Sequence, residues 1–161
     1  MITLLLIRHG IAEDPKYDQR DAERALTAEG WVRTRAAMRG LVARGFVPTH
    51  GFSSPYRRAA ETMLCLKESV AGGFISESCD GLVPGARPLD VDYWLRGVLA
   101  EIQAPATLAL VSHQPLLSDL IHHLTGRSVE VKKASCTVLH WGERGFEFGL
   151  HLSPAELRSG L

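Results

Sequence analysis

Cysteine is scarce in this sequence. Cys65, Cys79 and Cys136 are the only three, an odd number with no Cys-x-x-Cys pair and no short Cys/His spacing. That speaks against a zinc site and against a secreted disulfide scaffold. Net charge is missing too, because 18 Lys+Arg stand against 18 Asp+Glu. With no general field to draw DNA, RNA or an acidic membrane, any anion must be held by a local cluster of basic residues, and nucleic acid is not an expected partner. Long apolar runs are absent as well. The one N-terminal run, Ile2 to Ile7, is too short for a signal-peptide core and stops at Arg8-His9. Nothing approaches the ~20 apolar residues of a membrane span. The expectation is a reduced, cytoplasmic protein that makes no membrane contact. At 161 residues it is expected to form one domain, residues 1–161, burying roughly 70% of its unfolded surface without a metal or disulfide staple.

What is present alternates between two periodicities. Met1 to Ile7 and Thr107 to Ser112 are short apolar runs of the kind buried on both faces of a parallel sheet, with weaker strand candidates at Thr49 to Ser53 and Phe74 to Ser78. Gly10 supplies freedom for a sharp turn after the first strand, and Glu13 to Arg24 reads as a polar loop. Thr27 is placed to cap a helix carrying Trp31, Met38, Leu41 and Val42. Ser54 is placed to cap a second helix with Pro55 in its first turn, running to about Val70. Asp90 reads as the cap of a third, in which Val91, Trp94, Leu95, Val98, Leu99 and Ile102 follow helical spacing. A fourth, with Leu116, Leu117, Leu120, Ile121 and Leu124, closes at Gly126. Cys136 to Trp141 and Phe146 to Leu152 read as a hairpin. The pattern predicts a three-layer α/β sandwich, a mixed and mostly parallel sheet flanked by helices.

Basic residues recur at one kind of place in this pattern. Arg8-His9 follows the first strand, Arg57-Arg58 follows Ser53-Ser54-Pro55, and His113 follows the Thr107 to Ser112 strand. Carboxyl ends of parallel strands face a common crevice, so these side chains are expected to converge on one small volume. A tetrahedral phosphate suits forked guanidinium donors best. Neutral imidazole can also attack phosphorus and carry the phosphoryl group, provided its other nitrogen is fixed as a donor. Two histidines at two strand ends therefore suit a nucleophile and a phosphoryl-oxygen donor.

Four ordered motifs carry a resemblance. Leu-Ile-Arg-His-Gly at 6–10, Arg-x-Leu-Thr-x-x-Gly at 24–30, Ser-Ser-Pro-x-x-Arg-Ala-x-x-Thr at 53–62 and Val-Ser-His at 111–113 resemble the histidine phosphatase superfamily, whose founding fold is that of phosphoglycerate mutase. Larger members carry a helical insertion between the second arginine and second histidine, whereas only residues 59–112 lie between Arg58 and His113. The compact form is similar to the SixA-type phosphohistidine phosphatases. The resemblance implies that His9 is the nucleophile and that Arg8, Arg58 and His113 bind the phosphoryl oxygens. It also makes Arg24 a further phosphate contact; the competing reading is a surface ion pair with Asp21 or Glu29. The backbone amide of Gln114 at a helix start offers another donor. Neither a metal nor another cofactor is expected, since loose phosphoryl transfer needs mainly positioning and positive charge. The expected partner is a histidine-phosphorylated protein; the alternatives are a small phosphate ester and a catalytically silent phosphate-binding module.

A general acid is harder to place. Alkyl phosphates need a proton for their leaving group, and Glu77 and Asp80 are the nearby carboxyl groups, with Asp80 the candidate. A phosphohistidine bond is more labile and needs this acid less. Arg57 reads as a solvent-side charge, His122-His123 as structural or exposed, and His50, His140 and His151 have no supporting motif. Lys132-Lys133 with Arg127 reads as a solvated edge, and Cys79 shows no cause for thiolate activation.

Overall fold

The computed structural model describes residues 1–159. Six strands, β1 (Ile2–Arg8), β2 (His50–Ser53), β3 (Ile75–Ser78), β4 (Ala106–Ser112), β5 (Cys136–Gly142) and β6 (Gly145–Leu152), form one sheet in the order β3-β2-β4-β1-β5-β6. The pairs β1·β4, β2·β4 and β2·β3 are parallel, while β5 runs antiparallel to both β1 and β6. This is the mixed, mostly parallel sheet expected. Its helices are α1 (Ala28–Ala43), α2 (Arg57–Glu68), α3 (Pro88–Glu101), α4 (Leu116–Thr125) and α5 (Pro154–Arg158).

The continuous apolar runs of β1 and β4 have a direct cause. Alternate residues of a strand point to opposite faces, and here both faces are covered. Leu4, Leu6, Leu108 and Leu110 pack with Val91, Leu95 and Leu99 of α3 and with Leu116, Leu117, Leu120 and Ile121 of α4. Leu5, Ile7, Ala109 and Val111 pack on the other face with Ala37, Met38 and Leu41 of α1, Met63 and Leu66 of α2, and Leu157 of α5. Each fully buried leucine contributes roughly 2 kcal/mol. No helix among the described residues is long and apolar enough to cross a membrane.

Local signals hold at several ends. Thr27 accepts from the Gly30 amide and caps α1, and Gly126 ends α4 in the left-handed region at φ 76°. Four details differ from the sequence reading. Ser54 does not cap α2, which begins at Arg57; its hydroxyl accepts the Tyr56 amide and meets His113 instead. Asp90 does not cap α3, because Pro88 takes the first helical position and Asp90 falls in the first turn, paired with Arg87. Gly10 is required by close approach rather than by its backbone angle, since a Cβ there would collide with the Thr34 side chain of α1. The short helix α5 was not expected from the periodicity. Ser153 and Glu156 form a reciprocal capping box at its start.

Candidate active site

Register places the two key histidines side by side. Arg8 of β1 is paired with Ser112 of β4, so His9 and His113 are the next residues on adjacent parallel strands. Their ring centroids lie 5.1 Å apart. The His9 amide donates to the Ser112 carbonyl at 3.2 Å, which ties the two strand ends together beyond the sheet. Strand β2 ends one position away on β4, with Ser53 opposite Val111, and the chain then turns into α2 and delivers Arg58 to the same crevice.

A cavity of about 360 Å³ brings together Arg8, His9, Arg24, Arg58, His113 and Gln114. Asp21 and Lys133 join them in its lining. Asp80 does not. It is exposed at the start of a 3-10 turn, Asp80–Leu82, and Glu77 lines a different cavity beside β3. Gln114 lies ahead of α4, which starts at Leu116, and its side-chain oxygen accepts the Ser118 amide at 2.8 Å.

The hydrogen bonds around His9 select one tautomer. Its Nδ1 lies 2.8 Å from the Gly10 carbonyl oxygen, an acceptor only, so Nδ1 carries the proton and donates. That leaves Nε2 with its lone pair, and the Arg58 Nε donates toward it at 3.4 Å. Gly10 is itself held by the Thr62 hydroxyl, which accepts the Gly10 amide at 3.0 Å and donates to the Arg58 carbonyl at 2.8 Å. Burial pushes the His9 pKa down to about 3; the bond to Gly10 opposes this, while Arg58, Arg8 and Lys133 add to it. The imidazole is therefore neutral across the physiological range.

His113 is also pushed down to about 3, by burial first and then by His9 and Arg58. Its Nε2 is 2.7 Å from the Ser54 hydroxyl, while its buried Nδ1 has no partner. Since the Ser54 oxygen accepts the Tyr56 amide, its own proton is available to Nε2. With Ser54 donating to Nε2, the N–H of His113 stands at Nδ1, on a residue that lines the cavity.

The arginines are tethered. Arg58 is 4% exposed and donates to both the Asp21 carbonyl at 2.8 Å and the Asp21 carboxylate at 3.1 Å. Arg24 donates to the same carboxylate at 2.8 Å and to the Glu13 carbonyl at 2.7 Å. Arg24 thus makes the ion pair with Asp21 and lines the cavity at once, while Glu29 pairs with Arg33. Partial burial works to raise the Asp21 pKa, but hydrogen bonds from Arg24 and Arg58 outweigh it and hold the carboxyl below its ordinary value. Arg8 donates to the Val131 carbonyl at 3.0 Å.

Asp21 and Lys133 are the charged cavity residues that sequence reasoning did not assign to the site. The spacing of Asp21 to Arg24 was visible, but its hold on Arg58 depends on how the loop folds back. Lys133 arrives because the Ala134 amide donates to the carbonyls of Arg8 and His9, a contact without any local signature. Arg57 is exposed and pairs with Glu61, and burial raises the Cys79 thiol pKa. His122 and His123 are exposed, with His123 paired to Asp92. Among the described residues, no three His, Cys, Asp or Glu side chains gather closely enough to hold a metal ion.

The model of the histidine phosphatase superfamily (branch 1) matches residues 4–79, which include His9, Arg24 and Arg58. The fold is similar to that of the protein histidine phosphatase SixA complexed with tungstate, at 22% identity and a TM-score of 0.86, over 96% of this chain and 99% of that one. It is similar to the alpha-ribazole phosphatase from Shigella flexneri at 18% identity and a TM-score of 0.72, over 94% and 96% of the two chains. A phosphoserine phosphatase mutant from Entamoeba histolytica, complexed with phosphoserine, shares 14% identity at a TM-score of 0.69, over 98% and 100%. No curated protein matches the chain in sequence. Matched segment, ordered motifs and fold agree: residues 4–79 match the histidine phosphatase superfamily (branch 1), and the fold as a whole is similar to that of SixA.

Proposed function

We propose that this protein is a phosphatase that works through a phosphohistidine intermediate on His9, and that its preferred substrate is phosphohistidine borne by a protein. The single observation that carries the mechanism is the His9 tautomer. Its Nδ1 donates to Gly10, and its Nε2 lone pair opens into a cavity lined by Arg8, Arg24, Arg58 and His113. In the first step Nε2 attacks phosphorus, and the bond from phosphorus to the substrate's imidazole nitrogen breaks. The departing nitrogen takes a proton from solvent. In the second step water attacks the phosphoryl group on Nε2, loses a proton, and releases inorganic phosphate with His9 neutral again. Arg58, Arg8 and the Nδ1–H of His113 stabilise charge on the equatorial oxygens, and Arg24 adds a further contact.

The choice of substrate rests on acid supply. Asp21 is the one carboxylate in the cavity lining, and two arginines hold it ionised. Asp80, the candidate from sequence, is exposed and outside the lining. A site poor in protonated carboxyl groups suits a leaving group that needs little help, as an imidazole does, better than an alkoxide. The similarity to a protein histidine phosphatase supports the same reading, while the likeness to alpha-ribazole and phosphoserine phosphatases keeps small phosphate esters as the competing one.

The test compares phosphate release from a histidine-phosphorylated protein with release from sugar and aryl phosphates, by wild type and His9→Ala. Faster turnover of phosphohistidine, abolished in His9→Ala, is the expected result. Release from none of them would overturn the phosphatase reading, and faster turnover of sugar phosphates would overturn the substrate.

A further inference from the structure

A second cavity, of about 280 Å³, lies against the first. Arg8, Arg33, Lys132, Lys133 and Arg158 contribute to its walls, and no acidic side chain does. In a chain whose charges cancel overall, five cations around one cleft are a concentrated positive field. Arg8 and Lys133 also line the catalytic pocket, so the two cavities share a wall. Arg33 is paired with Glu29 at 2.9 Å. Among the described residues, no carboxylate forms an ion pair with Arg8, Lys132, Lys133 or Arg158.

Two polar atoms of this lining, Arg8 Nε and Thr34 Oγ1, are buried without a hydrogen-bond partner, and Thr34 is wholly buried. Buried donors are seldom left unpaired, and those that are call for a specific explanation. The Thr34 hydroxyl faces Gly10, where a Cβ would collide with it, so acceptor oxygens of a bound anion would meet the Arg8 guanidinium and the cations around it rather than this hydroxyl.

We propose that this cleft is a second anion subsite, which takes a carboxylate or phosphoryl group that the substrate carries beside its reacting phosphoryl. Its role toward substrate rests on the phosphatase reading; its capacity to bind an anion does not. The anion has two possible sources, an acidic side chain near the phosphohistidine of a protein or a second phosphate on a small molecule, and the chemistry is shared.

Binding is tested apart from catalysis by calorimetric titration of inorganic phosphate. Wild type is expected to bind two phosphates, Lys132→Ala/Arg158→Ala to lose one of them, and Arg58→Ala to lose the other. The exposed substitution Lys132→Glu tests the same point without touching α5. One phosphate per wild-type chain, lost in Arg58→Ala and unaffected by changes at Lys132 and Arg158, would overturn the subsite. In turnover, phosphohistidine peptides with and without flanking acidic residues are compared, alongside an aryl monophosphate and a small bisphosphate. Wild type is expected to favour the doubly anionic member of one pair by about tenfold in kcat/KM, and the double variant to lose that preference while hydrolysing the aryl monophosphate normally. A preference among the peptides assigns the anion to a protein, and one confined to the bisphosphate assigns it to a small molecule. Equal rates within both pairs would overturn the role toward substrate. Two bound phosphates with no release from any substrate would refute the phosphatase reading and leave the anion subsite standing.

Discussion

The two cavities that meet at Arg8 are walled by the same kind of side chain held in opposite ways. In the catalytic pocket nearly every group is restrained: Asp21 binds Arg58 and Arg24, Gly10 binds His9, and Ser54 binds His113. In the neighbouring cleft Lys132, Lys133 and Arg158 have no carboxylate partner among the described residues, and a buried threonine hydroxyl is unpaired. The first arrangement suits chemistry, where donors must already stand where charge develops. The second suits recognition, where mobile cations adapt to anions of more than one shape. The difference teaches that positive charge alone does not identify a reaction centre; the tethers do.

The comparison is broken most severely at its centre. His9→Ala removes the proposed nucleophile and should lower kcat by about 10⁴-fold or more, read as phosphate release with the chain still folded. Arg58→Lys keeps the charge but loses the planar fork shared between Asp21 and the phosphoryl oxygens, and a fall of about 10² to 10³ in kcat/KM is expected. Acid separates the two cavities in another way. His9 and His113 have folded-state pKa values of about 3, below the ordinary 6.5, so the unfolded chain takes up protons first as pH falls. Stability is therefore fully present above about pH 6.5 and declines toward pH 3, by up to about 1.4 kcal/mol per pH unit for each imidazole. Denaturant titrations at pH 7.5, 6 and 5 check this, and His113→Ala should flatten the decline. Asp21→Asn sharpens the contrast at least cost. With the tether weakened but the cations kept, kcat should drop about tenfold while phosphate affinity holds or improves, a split that steady-state kinetics reads directly.

Much of the crevice was legible because its determinants are local. The doubly buried runs of β1 and β4, the cap at Thr27 and the left-handed close at Gly126 all write their cause into adjacent residues. The convergence of His9, Arg58 and His113 on one cavity was legible because His9 and His113 follow strand ends and Arg58 stands in the first turn of a helix. What escaped depends on contacts between distant segments. Ser54 looked like a helix cap, and its hydroxyl instead reaches across to His113. Lys133 looked like a solvated edge, and the Ala134 amide folds it back onto Arg8 and His9. Asp90 was misread because proline two residues earlier is a stronger helix start. The helix α5 did have a signal, since Ser153 and Glu156 are spaced as a capping box, but five residues are too few for periodicity to reveal.

The pairing of Arg8 with Ser112 has a consequence for how the protein fails. His9 and His113 leave the two central strands of the sheet, where opening one pair requires dismantling the cores on both faces. The two neighbouring histidines therefore have no soft local route to disassembly, and loss of turnover in denaturant should coincide with the global transition. The Lys132–Lys133 turn lies outside the sheet, held by the Ser135 amide and hydroxyl on the Lys132 carbonyl and by the Ala134 amide on β1, and its opening breaks only these bonds and no core. Partial denaturation would then blunt selectivity between substrates before it silences the reaction.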